Sequence, residues 1–275
     1  MRPLATLSHE EAAKLSVVFS DIDDTMSTDG KLTSQAYDAL WRLRDAAVTV
    51  VPVTGRPAGW CDHIARFWPI AGVIGENGAF YMRYDHAHRK LLEVHVQNQT
   101  ERAQNRSRLE TIWTRIANEV PGAGLASDQP YRLYDLAVDF AEDVPRLTDD
   151  EIARIVALFN EAGAIAKVSS IHVNGWFGRY DKLTMMKRFA QEVLGLDLDD
   201  PDTQDRVAFI GDSPNDEPGF RFFRYSIAVA NIAAFKNALA HPPAFVTKAE
   251  SGSGFSEVAA RILSARSQQI PAHHR

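Results

Sequence analysis

The chain has 275 residues, 45% of them hydrophobic, enough for a large core spread over one or two domains. Its net charge of -6 offers no global attraction to nucleic acid or an anionic membrane, so an anionic ligand would need local cations. Cys61 is the single cysteine, which excludes an intrachain disulfide and fits a reducing compartment, and no apolar run is long enough to span a bilayer. Residues 1–16 are charged and lack the apolar core of a signal peptide, so the expectation is a soluble cytoplasmic protein.

A short apolar run, Val17-Val18-Phe19, leads into Ser20-Asp21-Ile22-Asp23-Asp24-Thr25. The run predicts a buried strand. It places three carboxylates and a hydroxyl at the strand's C-terminal end, where open α/β sheets hold their ligands. Asp21 and Asp23 would share a face of extended chain. Carboxylates that close repel unless a cation or a shared proton intervenes, and Mg2+ suits hard oxygen ligands. An acidic turn after a core strand is the plainer alternative. Asp29-Gly30 marks a turn. A helix follows, capped at Thr33 or Ser34, with Ala36, Leu40, Leu43 and Ala47 on one face. A β-branched strand over 48–53 contains Pro52, which weakens the case for a central strand. Thr54-Gly55-Arg56-Pro57 then opens a helix to about residue 68. A third buried strand over 71–74 ends in Gly75-Glu76-Asn77-Gly78, either an ordinary turn or a contact with substrate.

Three strands separated by helices predict a doubly wound parallel sheet of Rossmann-like α/β type. From about 83 to 179 the pattern changes. A helix over 100–120 is Arg-rich and weakly amphipathic, and 134–140 alternates as a half-exposed strand. A helix over 148–162 has Thr148 and Glu151 as a capping box, and 164–169 and 171–177 read as paired strands. These features predict an inserted α+β cap over 83–179, with 1–82 and 180–275 as the core. The first pattern resumes at 181 with Leu183, Met186, Ala190, Val193 and Leu194 at helical spacing. A buried strand over 207–210 is broken by Gly211-Asp212-Ser213-Pro214-Asn215-Asp216. Short strands over 226–230 and 244–246 and a helix over 256–264 close the chain. The polar tail after 268, with His273 and His274, is expected to be loose.

Strand ends line one edge of a parallel sheet, so four distant places should converge there: Asp21 with Asp23, Thr54, Lys182, and Asp212 with Asp216. A nucleophilic carboxylate, a second acid, a hydroxyl, a cation and a further acidic pair suit the handling of a phosphoryl group with a metal. Plainer roles stand beside these. Thr54 could cap the helix at Pro57, Lys182 could be a solvated helix lysine, and Asp216 could be a helix N-terminal charge. Arg56 could reach substrate or form a structural ion pair. On an alternating strand His172, Asn174 and Trp176 share a face, which suits a sugar, with Arg179 just beyond. The other reading is an exposed strand face with a packed tryptophan.

The series Asp21-Ile22-Asp23-Asp24-Thr25, Val53-Thr54-Gly55-Arg56, Lys182 and Gly211-Asp212-Ser213-Pro214-Asn215-Asp216, in that order, resembles the haloacid dehalogenase superfamily. It looks most like subclass IIB, the Cof-type sugar-phosphatase branch that includes sucrose-phosphate, trehalose-phosphate and mannosyl-phosphoglycerate phosphatases, with a large α/β cap inserted after the third strand. The branch often has Asp-Gly-Thr at the first motif; position 24 here is Asp, which adds negative charge beside the metal. The resemblance implies an aspartyl-phosphate mechanism. Asp21 would be the nucleophile, and Asp23 would protonate the leaving group and then activate water. Asp21, the Asp23 backbone carbonyl and Asp212 would hold Mg2+, with Asn215 and Asp216 completing or orienting that shell. Thr54 would hydrogen-bond the phosphoryl group and Lys182 would neutralise it. Gly55, Arg56 and Asn77 of the core, with His172 and Asn174 of the cap, are the further candidates for substrate binding. The expectation is a Mg2+-dependent phosphatase for a small phosphorylated metabolite, a sugar phosphate foremost. The alternatives are a phosphomutase or phosphotransferase of phosphomannomutase type, or a binding protein that has lost turnover. Neither nucleic acid nor membrane is an expected partner, and the protein is expected to be a monomer or weak homodimer.

Overall fold

Val17–Ser20 is flanked by two parallel neighbours, Thr49–Pro52 on one side and Val207–Gly211 on the other. The computed structural model, which describes residues 1–169 and 171–267, continues this sheet through Tyr225–Ala228 and Phe245–Val246 to Arg2–Pro3, parallel throughout. The tail expected after 268, with His273 and His274, lies outside the described residues. Side chains alternate across the sheet, and both faces are buried. Val17, Phe19, Val51, Val207 and Phe209 enter one apolar cluster, while Val18, Val50, Ala208 and Ile210 enter the other. Helices Ser34–Asp45, Ala58–Phe67 and Ser251–Ser267 cover the second face, and Lys182–Phe189 and Glu217–Phe222 cover the first. Double coverage explains why these strands are continuous apolar runs.

Pro52 does sit in a central strand, and the backbone shows how. Thr49 N and Val53 N donate to Ser16 O and Ser20 O, so the odd-numbered amides face the Val17–Ser20 strand. Position 52 therefore faces the third strand, Val73–Gly75, and has no N–H to give it. That side is joined by Ala71 N to Val50 O, Thr54 N to Ile74 O and one parallel bridge, Val53 to Ile74. On its far side Val73–Gly75 pairs antiparallel with Phe80–Asp85, which pairs with Lys90–His95. Residues 83–95, expected in the cap, thus extend the core sheet. Arg83 and Leu92 continue the register begun by Phe80 and His95, and the hairpin's Val94 and Val96 pack on the core clusters.

Two other expectations are corrected. Ala47 is not on the apolar face of the helix capped by Thr33; the helix ends at Asp45, and Ala47 is exposed with φ +56°. Leu136–Asp139 is buried on both faces, not half-exposed.

The insert carries its own core. Its antiparallel sheet has the order Ile165–Val168, His172–Trp176, Leu136–Asp139, Gly124–Leu125. Helices Gln99–Glu119 and Asp149–Glu161 pack on one face through Leu109, Ile112, Ile116, Ile152, Ile155, Leu158 and Phe159. Both begin with capping boxes, Asn98 with Glu101 and Thr148 with Glu151. The weakly amphipathic first helix buries only a narrow stripe, Leu109, Ile112 and Ile116. No helix among the described residues is long and apolar enough to cross a membrane.

Candidate active site

Ser20 pairs with Ile210 in register, and Asp21 N donates to Ile210 O at 2.9 Å, so Asp21 and Asp212 leave adjacent strands at the same edge. Asp21, Asp212 and Asp216 each bring a carboxylate oxygen to within 4.8 Å of the other two, and all three are buried. Lys182 reaches this cluster from the first turn of Lys182–Phe189, whose N-cap is Asp181. Its Nζ donates to Asp21 Oδ1 at 2.6 Å, Asp216 Oδ1 at 2.9 Å and Asn215 Oδ1 at 3.3 Å. A cation at a helix N-terminus is unfavourable by itself; two adjacent carboxylates offset that. Lys182 is buried, so the solvated-lysine alternative fails.

Asp216 orients its neighbours. Oδ1 accepts from Lys182 and Oδ2 accepts Asp212 N–H at 3.1 Å. The close approach requires Gly211, where a Cβ would strike the Asp216 carboxylate. Asp212 Oδ1 is held by Thr25 Oγ1 at 3.0 Å. The sequence showed Thr25 only as the hydroxyl ending the first motif; its partner, 187 positions away, carried no signal.

The electrostatics follow from burial. Asp21 is pushed up to about 8 by burial, with Asp216 and Asp23 adding to it and Lys182 opposing. Asp212 rises to about 9 through burial and the charges of Asp216 and Asp21. Burial pulls the Lys182 ammonium down, but Asp21 and Asp216 outweigh it and hold the group above the usual lysine range. Three buried carboxylates against one ammonium leave an excess of negative charge that a divalent cation would relieve, and hard oxygen donors suit Mg2+. The residues therefore fit such an ion. The Asp23 carboxylate is not among the three.

That carboxylate turns toward Arg56. Nε lies 3.0 and 3.1 Å from Oδ1 and Oδ2, and Nη2 lies 2.8 Å from Oδ1. The guanidinium stacks over Trp60, with Cζ 4.5 Å from the ring centroid. Of the two roles open to Arg56, the structure displays the ion pair. Thr54 is fully buried; its Oγ1 accepts Arg56 N–H at 2.9 Å and lies 3.5 Å from Asp23 Oδ2. It closes a turn and does not cap the following helix, whose N-cap, Pro57, has no side-chain cap.

Asn77 has φ +56°, donates its backbone N–H to Thr54 O at 3.0 Å, and places its side chain against Gly55. Gly78, at φ +102°, passes so close to Asp181 and Lys182 that a Cβ would strike their backbone. The turn 75–78 thus touches the Thr54 loop and the start of the Lys182 helix.

His172, Asn174 and Trp176 are buried, and the first two pair with other cap residues. Asn174 Nδ2 donates to Asp135 Oδ2 at 2.9 Å, and His172 Nε2 lies 2.9 Å from Glu142 Oε2. Burial lowers the His172 pKa, against the pull of Glu142. Trp176 is 2% exposed and stacks on Tyr180 at 5.8 Å, which matches the packed-tryptophan alternative. Arg179 is exposed.

A family model described as haloacid dehalogenase-like hydrolase matches residues 18–106. No curated protein matches the chain. Among solved structures, a haloacid dehalogenase-like hydrolase from Bacteroides thetaiotaomicron is similar at 13% identity and TM-score 0.63, over 90% of this chain and 99% of that one. A trehalose-6-phosphate phosphatase related protein gives 14% and 0.61, over 93% and 100%. The sucrose-phosphatase from Synechocystis, solved with sucrose and phosphate, gives 15% and 0.62, over 90% and 98%. At such identities the likeness is one of fold. The matched residues 18–106 hold Asp21, Asp23, Thr54 and Arg56, and the fold of the chain is shared with these hydrolase structures.

Proposed function

We propose that the protein is a Mg2+-dependent phosphatase that hydrolyses a small phosphate monoester, a sugar phosphate foremost, through an aspartyl-phosphate on Asp21. The observation that carries this reading is the buried convergence of Asp21, Lys182, Asp212 and Asp216 from three separate segments at one sheet edge. The fold shared with the sucrose-phosphatase and the trehalose-6-phosphate phosphatase related protein supports the sugar-phosphate class.

Asp21 and Asp212, with the Asp23 backbone carbonyl, would hold the metal, and Asn215 and Asp216 would order it from behind. When bound, the ion supplies positive charge against the transferred phosphoryl group. Lys182 fixes Asp21 Oδ1, leaving Oδ2 to attack phosphorus. As the phosphorus–oxygen bond to the alcohol breaks, Asp23, once protonated, would give that proton to the leaving oxygen. Asp23 then takes a proton from water, which attacks the phosphoryl group and frees Asp21. Thr54 Oγ1, which donates to Asp23 Oδ2 at 3.5 Å, would donate to a phosphoryl oxygen instead. Arg56, ion-paired with the Asp23 carboxylate, must release it for Asp23 to carry a proton. Positioning and charge compensation carry most of the rate in such a transfer.

Screening phosphorylated metabolites for released phosphate, with Mg2+ and after chelation, tests this. Release from at least one sugar phosphate, lost on chelation and restored by Mg2+, is the expected result. Activity indifferent to thorough chelation removes the metal from the scheme, and no release from any ester refutes the function.

A further inference from the structure

The carboxylate of Glu76 is buried, and its hydrogen-bond donors are all backbone N–H groups. Ala58 N donates to Oε1 at 3.0 Å. Leu133 N lies 2.9 Å from Oε1 and 3.2 Å from Oε2, Tyr134 N is 2.7 Å from Oε2, and Asp135 N is 3.2 Å from Oε2. Ala58 opens the helix that follows the Thr54–Arg56 turn, whereas residues 133–135 lead into the cap strand Leu136–Asp139. One carboxylate therefore binds both parts.

The cap answers with Arg132, whose side chain is 2% exposed and whose Nη1 donates to Gly55 O at 3.1 Å. Asp128 and Asp135 balance its charge. The backbone secures the same turn, with Glu76 N donating to Arg56 O at 3.1 Å and Asn77 N to Thr54 O at 3.0 Å. Glu76 and Asn77 have φ of +42° and +56°, so the arrangement is held against ordinary backbone preference. The chemistry above makes no use of Glu76.

We propose that Glu76 is a positioning residue. It couples the seating of cap residues 132–135 to the geometry of residues 54–58, which carry Thr54 and Arg56. The kinetic part of this inference rests on the phosphatase reading; the clasp itself does not.

A carboxylate accepts at both oxygens, whereas glutamine accepts at one and turns an NH2 toward the donors. Burial and Asp135 push Glu76 up to about 7, so the comparison is made above that pH. In Glu76→Gln the Leu133, Tyr134 and Asp135 amides should exchange hydrogen roughly tenfold faster or more. With p-nitrophenyl phosphate kcat should fall about tenfold or more. Mg2+ half-saturation, read from the ion-induced shift in melting temperature, should stay at the wild-type value, because Asp21, Asp212 and Asp216 sit at other strand ends. Arg132→Lys keeps the charge but loses the fork to Asp128 and the planar Nη1 contact with Gly55 O and Asp135; it should give the same pattern more weakly, and it serves if Glu76→Gln does not fold. Unchanged exchange at 133–135, faster exchange with kcat intact, or loss of Mg2+ binding in parallel with the rate would each overturn the proposal. Should the wild type release no phosphate from any ester, the functional reading fails, and the exchange measurement still decides whether Glu76 clasps the cap.

Discussion

Lys182 Nζ and Asp21 Oδ1 lie 2.6 Å apart across 161 positions of sequence, buried on both sides. Lys182→Met leaves Asp21 and Asp216 without their cation, and breaking a buried pair in this way costs about 3–5 kcal/mol. Phosphate release should fall by about 10²–10³. Lys182→Arg should not restore it, because a planar fork does not replace a compact ammonium between two carboxylates. Thermal unfolding and steady-state phosphate release on the same preparations check this; a Met variant that matches the wild type in both contradicts it.

Gly211→Ala tests the other side of the cluster. The new methyl meets the Asp216 carboxylate, which must then release Lys182 or the Asp212 amide. A cost of about 1–3 kcal/mol is expected from the overpacking, together with weaker Mg2+ binding. Urea unfolding and a Mg2+ titration of melting temperature measure the two effects, and wild-type values for both would show that Asp216 does not set this geometry.

Asp24 takes φ +55°, a conformation that glycine adopts freely. Aspartate tolerates it better than most residues because its short polar side chain bonds locally. Asp24→Gly should stay within about 1 kcal/mol of the wild type, whereas Asp24→Val should lose roughly 1–2 kcal/mol. Equal stability of the two variants in urea would mean that the left-handed turn is not required.

Cys61 provides a pH-dependent prediction. Burial pushes its thiol well above 9.0, with Glu76 adding to the shift and Arg132 opposing it. The unfolded thiol therefore loses its proton first as pH rises. The native state holds more protons than the unfolded state above about pH 9, so this group's contribution to stability declines there. Below that pH the native thiol should resist iodoacetamide and react only on unfolding. The difference in unfolding free energy between wild type and Cys61→Ala should shrink as pH rises past 9.0. Rapid native labelling, or a difference flat with pH, would contradict the burial argument.

The core was legible in the sequence because each central strand is buried on both faces and so reads as a continuous apolar run ending in polar residues. That rule located the ends of Val17–Ser20 and Val207–Gly211, and with them Asp21 and Asp212. Residues 83–95 read as cap because the change of pattern begins there; only the pairing of Phe80–Asp85 with Val73–Gly75 and with Lys90–His95 ties them to the core sheet. Trp176 on a polar strand face suggested a sugar platform, and the ring of Tyr180, four positions on, claims it instead. Arg56 showed no preference between its two roles until Asp23 and Trp60 were placed around it. Glu76 was the least legible, since its cap partners lie 57–59 positions away and are main-chain amides, which any residue type supplies.

The proposed reaction depends most directly on Asp21 as the group that would be phosphorylated. Burial already disfavours charge there, so Asp21→Asn should fold normally. The measurement is phosphate release by Asp21→Asn, set against wild type on a metabolite the wild type hydrolyses, with saturating Mg2+ and matched melting curves. A loss of at least about 10³ with the fold intact is the predicted result. Release near the wild-type rate would show that the nucleophile lies elsewhere.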